Sequence, residues 1–312
     1  MPRLRPFVLL CVGAACLVAL CAGACTGTDP VLGPPLGEDL EAGSEAGTDG
    51  ATGDAISSND TGTTTDAGST VDGACGVLTA TGGNVTLPID TTAVDMATSF
   101  TIEAWVKPAQ LVPGATYNVV DRWQSNSLGS FGLQIHDGFA VFRMNCTGAG
   151  VGSDTTAKGE GFRLEVGKWT HIAGVFQADA TLDSGSIRVF TRGFNSGANA
   201  VGTSCRRPVA VPQPMRIAST MRQPGDPFQG VIDEVRLSST DRYQYIGGNP
   251  DGGTPDFQPE RFHTVDAMTL SLWRFSEIGE TTTFDSVIPP GGTPRNGTLF
   301  GGVAISGDCT PP

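Results

Sequence analysis

The sequence predicts an all-β protein built as a two-sheet antiparallel sandwich. Three observations point there. From Asn84 onward, apolar residues alternate in short runs, Gly, Pro, Asp and Asn separate the runs, and no amphipathic helix with capping residues interrupts them.

In residues 100–107, Phe100, Ile102, Ala104 and Val106 share one face of a period-2 strand, and Thr101, Glu103, Trp105 and Lys107 share the other. Residues 131–136 and 139–144 flank Asp137-Gly138, a two-residue hairpin signal because both positions tolerate positive φ. Further strands are predicted at 117–123, 170–176, 186–191, 215–219, 231–237, 270–275 and 297–300. The Gly- and Ser-rich stretches 145–163 and 195–207 read as long loops, where binding surfaces usually form on a rigid sandwich.

The first 24 residues read as an export signal. Arg3 and Arg5 precede an apolar run at 7–20, and Ala22-Gly23-Ala24 leads into Cys25. The run is short for a membrane span. The small triplet before Cys25 is similar to the bacterial lipobox, where cleavage exposes a cysteine that carries lipid; an ordinary cleaved signal with an incidental cysteine is the alternative. Residues 25–74 form a tether. From 26 to 74 it holds ten acidic residues and no Lys or Arg, with almost nothing to bury, so it is expected to be disordered. As a flexible coil it would average roughly 40 Å end to end.

The whole chain carries a net charge of −13, to which the signal contributes +2 and the tether −10. Residues 75–312 therefore carry only −5. No basic patch argues for nucleic acid, and the acid excess disfavours anionic surfaces, so the membrane is a partner through the lipid anchor only. Cys11, Cys16 and Cys21 leave with the signal, which places Cys75, Cys146, Cys205 and Cys309 in the exported domain. Four cysteines in an oxidising compartment read as two disulfides with three connectivities.

Four segments carry a family resemblance: SFTIEAWVKP at 99–108, GKWTHIAGVF at 167–176, FQGVIDEVRL at 228–237, and LWRFSEIGETTTFDS at 272–286 followed by RNGTLFGG. They resemble the laminin G-like jelly rolls of the concanavalin A-like lectin and glucanase class, over roughly residues 84–302. The resemblance implies a jelly-roll sandwich with neighbouring termini, and hence the pairs Cys75–Cys309 and Cys146–Cys205. It implies carbohydrate binding or glycan cleavage, since fold alone does not decide activity.

Relatives often bind calcium at a loop edge through carboxylates and carbonyls, which makes Asp233, Glu277 and Asp285 the candidate Ca2+ ligands. Parity along a regular strand 231–237 places Asp233 with Val231, Val235 and Leu237 on the inward face and Glu234 outward. There Asp233 either accepts backbone N–H bonds or meets an ion. Calcium needs six to eight oxygens, so one Asp does not make the site. In LWRFSEIGETTTFDS, Ser276 stands where the family has Asp, and Glu277 and Asp285 read otherwise as solvated loop acids.

Catalysis by paired carboxylates needs two acids on one cleft, about 5–5.5 or 6.5–9.5 Å apart. Jelly-roll glucanases carry them two residues apart on one strand, and no strand here has that pattern. His136 sits beside a hairpin turn and His263 in a Pro-rich loop. His171 faces with Ala173 and Val175 as a packing residue, and no nucleophile elbow is present. The expectation is a protein without enzymatic activity.

Glycan recognition needs an exposed aromatic ring beside hydrogen-bonding groups. Trp105, Trp169 and Trp273 lie in strands as core residues, whereas Trp123, Tyr243 and Tyr245 are surrounded by polar turn residues and are the candidates for ligand contact. The expected molecule is an exported bacterial lipoprotein of the outer membrane or cell surface, Thr26 replacing the Asp that retains lipoproteins at the inner membrane. Its expected partner is a glycan or another extracytoplasmic protein. A structural or adhesion role, and a hydrolase or lyase, are the alternatives.

Overall fold

The computed structural model describes residues 76–88, 99–124, 129–146, 154–179, 185–201, 207–221, 226–243, 255–288 and 293–307. All lie in the second of two units into which the chain divides, Asp66–Pro312. The signal, the tether, Cys25, Cys75, Cys205, Tyr245 and Cys309 lie outside the described residues.

The described residues form seventeen strands and no helix. In chain order they are β1 (Gly76–Thr81), β2 (Asn84–Thr86), β3 (Ser99–Pro108), β4 (Thr116–Trp123), β5 (Gly129–His136), β6 (Phe139–Asn145), β7 (Asp154–Arg163), β8 (Thr170–Ala178) and β9 (Gly185–Thr191). They continue as β10 (Phe194–Val201), β11 (Arg216–Ile217), β12 (Asp226–Pro227), β13 (Gln229–Ser238), β14 (Thr269–Trp273), β15 (Thr282–Thr283), β16 (Gly297–Phe300) and β17 (Val303–Gly307). One sheet of eight strands runs β10-β9-β8-β3-β13-β1-β17, with β14 also on β13. The other, of nine, runs β15-β16-β2-β11-β4-β5-β6-β7, with the short β12 beside β4. Apart from that parallel β12–β4 pair, the strand pairings are antiparallel. The architecture is the predicted jelly-roll sandwich.

The inward faces meet in one apolar core. Phe100 of β3 lies 5.1 Å from Phe131 and 5.9 Å from Phe142 of the opposite sheet, and 5.9 Å from its neighbour Phe176. Phe100, Ile102, Ala104 and Val106 are all buried in it, as the alternation in β3 requires. The β5–β6 turn has positive φ at Asp137 (54°) and Gly138 (81°), the geometry that Asp-Gly predicts.

The described parts of two stretches that read as loops form strands. β7 pairs with β6 from Asp154 to Arg163, and β10 pairs with β9 through a turn at Arg192-Gly193, where φ is 56° and 84°. Their glycines mark close approach. A Cβ at Gly197 would collide with the Lys158 carbonyl oxygen, and one at Gly159 with Ser196 Oγ. The edges of the two sheets touch there, and only residues without side chains allow it.

Candidate functional site

The site is built on the outer face of the eight-stranded sheet. There Thr101, Glu103 and Trp105 of β3 stand beside His171, Ala173 and Val175 of β8 and Phe190 of β9. A strap formed by residues 240–243 and 255–266 lies over them. It is held by main-chain acceptors: Thr101 Oγ1 donates to the Thr240 carbonyl (2.8 Å), Trp105 Nε1 to that of Glu260 (2.9 Å) and Arg236 Nη1 to that of Thr264 (3.1 Å). Tyr243 and Phe257 stack at 3.6 Å and 5°, and together cover Ala173, Val175 and Phe190 as a second small apolar core.

A bulge in β13 organises the charged groups. The register with β3 shifts between Asp233 and Arg236, with Glu234 at φ 50°. Asp233 therefore lies opposite Trp105 and Arg236 opposite Glu103, both on the outer face, while Ile232, Val235 and Leu237 enter the core. This corrects the face assigned to Asp233 from regular alternation. Glu234 is buried too, rather than turned to solvent.

Glu103 is the hub and has no exposed surface, nor have His171 and His263. Arg236 Nε donates to Glu103 Oε1 at 2.8 Å. Oε2 accepts the Tyr243 hydroxyl, lies 3.0 Å from His171 Nε2, and is 3.7 Å from His263 Nε2. Burial works against the Glu103 charge, yet His263, His171 and Arg236 outweigh it and hold the carboxyl well below the usual carboxylate range. Burial, joined by the Glu103 carboxylate, raises the Tyr243 hydroxyl far above its ordinary range, so it remains a donor. Burial pushes His263 down to about 3 although Glu103 pulls the other way, so the imidazole is neutral at pH 7.

A second acidic pair lies alongside. Asp233 Oδ2 accepts from Arg261 at 2.8 Å and Oδ1 from the Glu234 amide, also at 2.8 Å. Glu234 Oε2 accepts the His263 amide at 2.7 Å. Burial pushes Asp233 up to about 6 against the pull of Arg261, and Glu234 up to about 7 against its bond from His263. These carboxylates anchor the strap and are sealed from solvent.

The other predicted residues take different places. Trp123 is 1% exposed, with Arg143 over its ring at 5.5 Å and Gly129 beneath it; it is not an exposed platform, because β4 is covered along nearly its whole length. Glu277 accepts from Thr283 Oγ1 and the Phe284 amide, both at 3.2 Å, and Asp285 accepts the Leu272 amide at 2.9 Å and that of Val287 at 3.0 Å. Both brace the β14–β15 connection rather than standing as solvated acids. Among the described residues Asp233, Glu277 and Asp285 do not converge on one point; the group of potential ligands that does is Glu103, His171 and His263. Cys146 is disulfide-bonded, and the cysteines available to it lie outside the described residues.

Sequence reading missed this hub. Parity does place Glu103 and His171 on outer faces, but His263 arrives from a segment without strand periodicity, and the bulge hides Arg236 from a regular count.

Above the hub opens a cavity of about 360 Å³, lined by Arg236, Arg242, Tyr243, Phe257, Gln258 and Glu260 among others. Arg242 is held there by a two-point pair with Asp266, at 2.7 and 2.9 Å. The wall thus offers cationic donors, carboxylate and amide acceptors, and apolar surface.

Residues 79–244 match the family model Laminin_G_3, described as the concanavalin A-like lectin/glucanases superfamily. The chain belongs to that superfamily. Among solved structures, a candidate carbohydrate binding protein from Bacteroides ovatus aligns at 15% identity with TM-score 0.51, over 76% of this chain and 61% of that one. The chain thus spans less than two thirds of that protein's length. A pentraxin from Limulus polyphemus aligns at 14% identity and TM-score 0.36, over 53% of this chain and 76% of its own. The CBM40 module of a Ruminococcus gnavus sialidase, bound to α2,3-sialyllactose, aligns at 15% and 0.35, over 50% and 85%. These likenesses speak to the fold alone. Among curated proteins, none matches this chain.

Proposed function

We propose that this protein is a non-catalytic, extracytoplasmic carbohydrate-binding module, displayed through a lipid on Cys25 and an acidic tether. The observation that carries the reading is the 360 Å³ cavity beneath the strap. Sugars present hydroxyls that both donate and accept, together with apolar C–H faces. Arg242, Gln258, Glu260, Phe257 and Met268 supply all of these around one opening. Superfamily membership and the carbohydrate-binding description of the Bacteroides ovatus structure support the same reading. The buried Asp233–Glu234 pair faces strap residues rather than this opening, which favours binding over cleavage.

A glycan array probed with the full chain tests it. The expected result is saturable binding to a defined glycan, weakened about tenfold or more by Gln258→Ala or Glu260→Ala, with no reducing sugar released. Binding unaffected by both substitutions would move the site elsewhere, and no binding across the array would end the carbohydrate reading.

A further inference from the structure

We propose that Glu103, His171 and His263 form a zinc site beneath the strap. This goes beyond carbohydrate binding and does not depend on it. Two imidazoles and one carboxylate are a borderline-soft donor set that suits Zn2+ and falls far short of the six to eight oxygens calcium takes.

The spacing fits. Zinc bonds of about 2.0–2.2 Å in a tetrahedron put neighbouring ligand atoms roughly 3.3 Å apart. Here His171 Nε2 and His263 Nε2 lie 3.0 and 3.7 Å from Glu103 Oε2, and all three ligand atoms fall within 4.8 Å of one another. The two distances to Glu103 Oε2 bracket the tetrahedral spacing, and the histidines close toward each other as the ion seats. Arg236 occupies Glu103 Oε1, which leaves Oε2 as the single carboxylate ligand.

His263 is the independent pointer. It is fully buried, and neither ring nitrogen has a hydrogen-bond partner. Buried polar nitrogens are normally satisfied. Its Nε2 stands 3.7 Å from Glu103 Oε2, too far for a hydrogen bond to the carboxylate it faces, and a cation between them would bridge that gap. On binding, both histidines would carry their proton on Nδ1, and Glu103 Oε2 would exchange the Tyr243 hydroxyl for the ion, leaving that hydroxyl as a candidate for the fourth position. Because neither His171 Nδ1 nor His263 Nδ1 has a partner to orient it, the affinity is one to two orders of magnitude below that of a fully braced histidine site.

The test uses the untagged full chain, stripped with chelator and kept oxidised. ZnCl2 is titrated by calorimetry, and CoCl2 is followed by visible absorption. The expected outcome is one ion per chain, with the intense bands of tetrahedral Co2+ and no thiolate charge-transfer band. His263→Ala lowers the affinity at least tenfold, while His136→Ala, at the end of β5 and outside the cluster, leaves it unchanged. Absence of saturable binding to the wild-type chain overturns the proposal, as does a six-coordinate Co2+ spectrum or an affinity that His263→Ala does not alter. Should His263→Ala fail to fold by circular dichroism, His263→Gln takes its place, and the wild-type spectrum decides on its own. A glycan array without hits would leave all of these outcomes standing.

Discussion

At Glu103 one fully buried carboxylate satisfies an arginine, a tyrosine and a histidine. Removing it would leave the Arg236 guanidinium buried without its counter-charge. Glu103→Ala is therefore expected to cost about 3–5 kcal/mol in urea denaturation, far more than an exposed ion pair such as Lys168–Glu165. Asp233 and Glu234 act in the opposite sense. Their folded-state values, about 6 and about 7, lie above the ordinary carboxylate range, so the native protein holds more protons than the unfolded chain between those limits. Stability from this pair is full below the unfolded values and is lost as pH rises through about 6–7. Each group contributes up to about 3 kcal/mol. The urea midpoint is expected to fall between about pH 5.5 and pH 8, and Asp233→Asn with Glu234→Gln to flatten that slope. A midpoint that rises over the same range would refute the assignment.

The hairpin at Asp137-Gly138 and the alternating β3 were legible because each rests on local chemistry: a turn that needs positive φ, and a period of two. β7 and β10 were not, because their glycines, read locally, are loop signals. Only the opposite sheet edge shows that Gly159 and Gly197 exist for contact. The same holds across the core, where β8 passes so near β6 that a Cβ at Gly174 would run into the Phe142 ring. Gly174→Ala is expected to cost about 1–3 kcal/mol by overpacking, read as a lowered Tm with an unchanged far-ultraviolet spectrum. Of the hub, the sequence showed only the strand faces of two members and named neither as a site residue. Glu103 and His171 follow from strand parity, whereas Arg236 needs the bulge and His263 needs a tertiary fold that no periodicity announces.

For the whole molecule, the charge division matters more than its total. Most of the acid excess lies before residue 75, so a nearly balanced domain follows a strongly acidic leader. We propose that Cys25 anchors this leader. Cys25→Ser is expected to shift the protein from the membrane to the soluble fraction or leave it unprocessed, and unchanged fractionation would refute the anchor. The disulfide at Cys146, which we propose joins Cys205, ties the end of β6 close to the start of the 207–221 segment, where Cys146 already bridges to Pro208. By the loop-entropy account a bond closing about 60 residues contributes roughly 4 kcal/mol.

The strap residues 255–266 lie beyond the 79–244 span that matches the superfamily model. Most of the residues that shape the opening thus lie outside the span shared with the superfamily. On the carbohydrate-binding reading proposed above, such a division makes specificity transplantable. A strap of another composition, entering the same bulge and carrying its own counterpart of His263, would give the unchanged sandwich a different appetite, so divergence among relatives should concentrate in that short stretch.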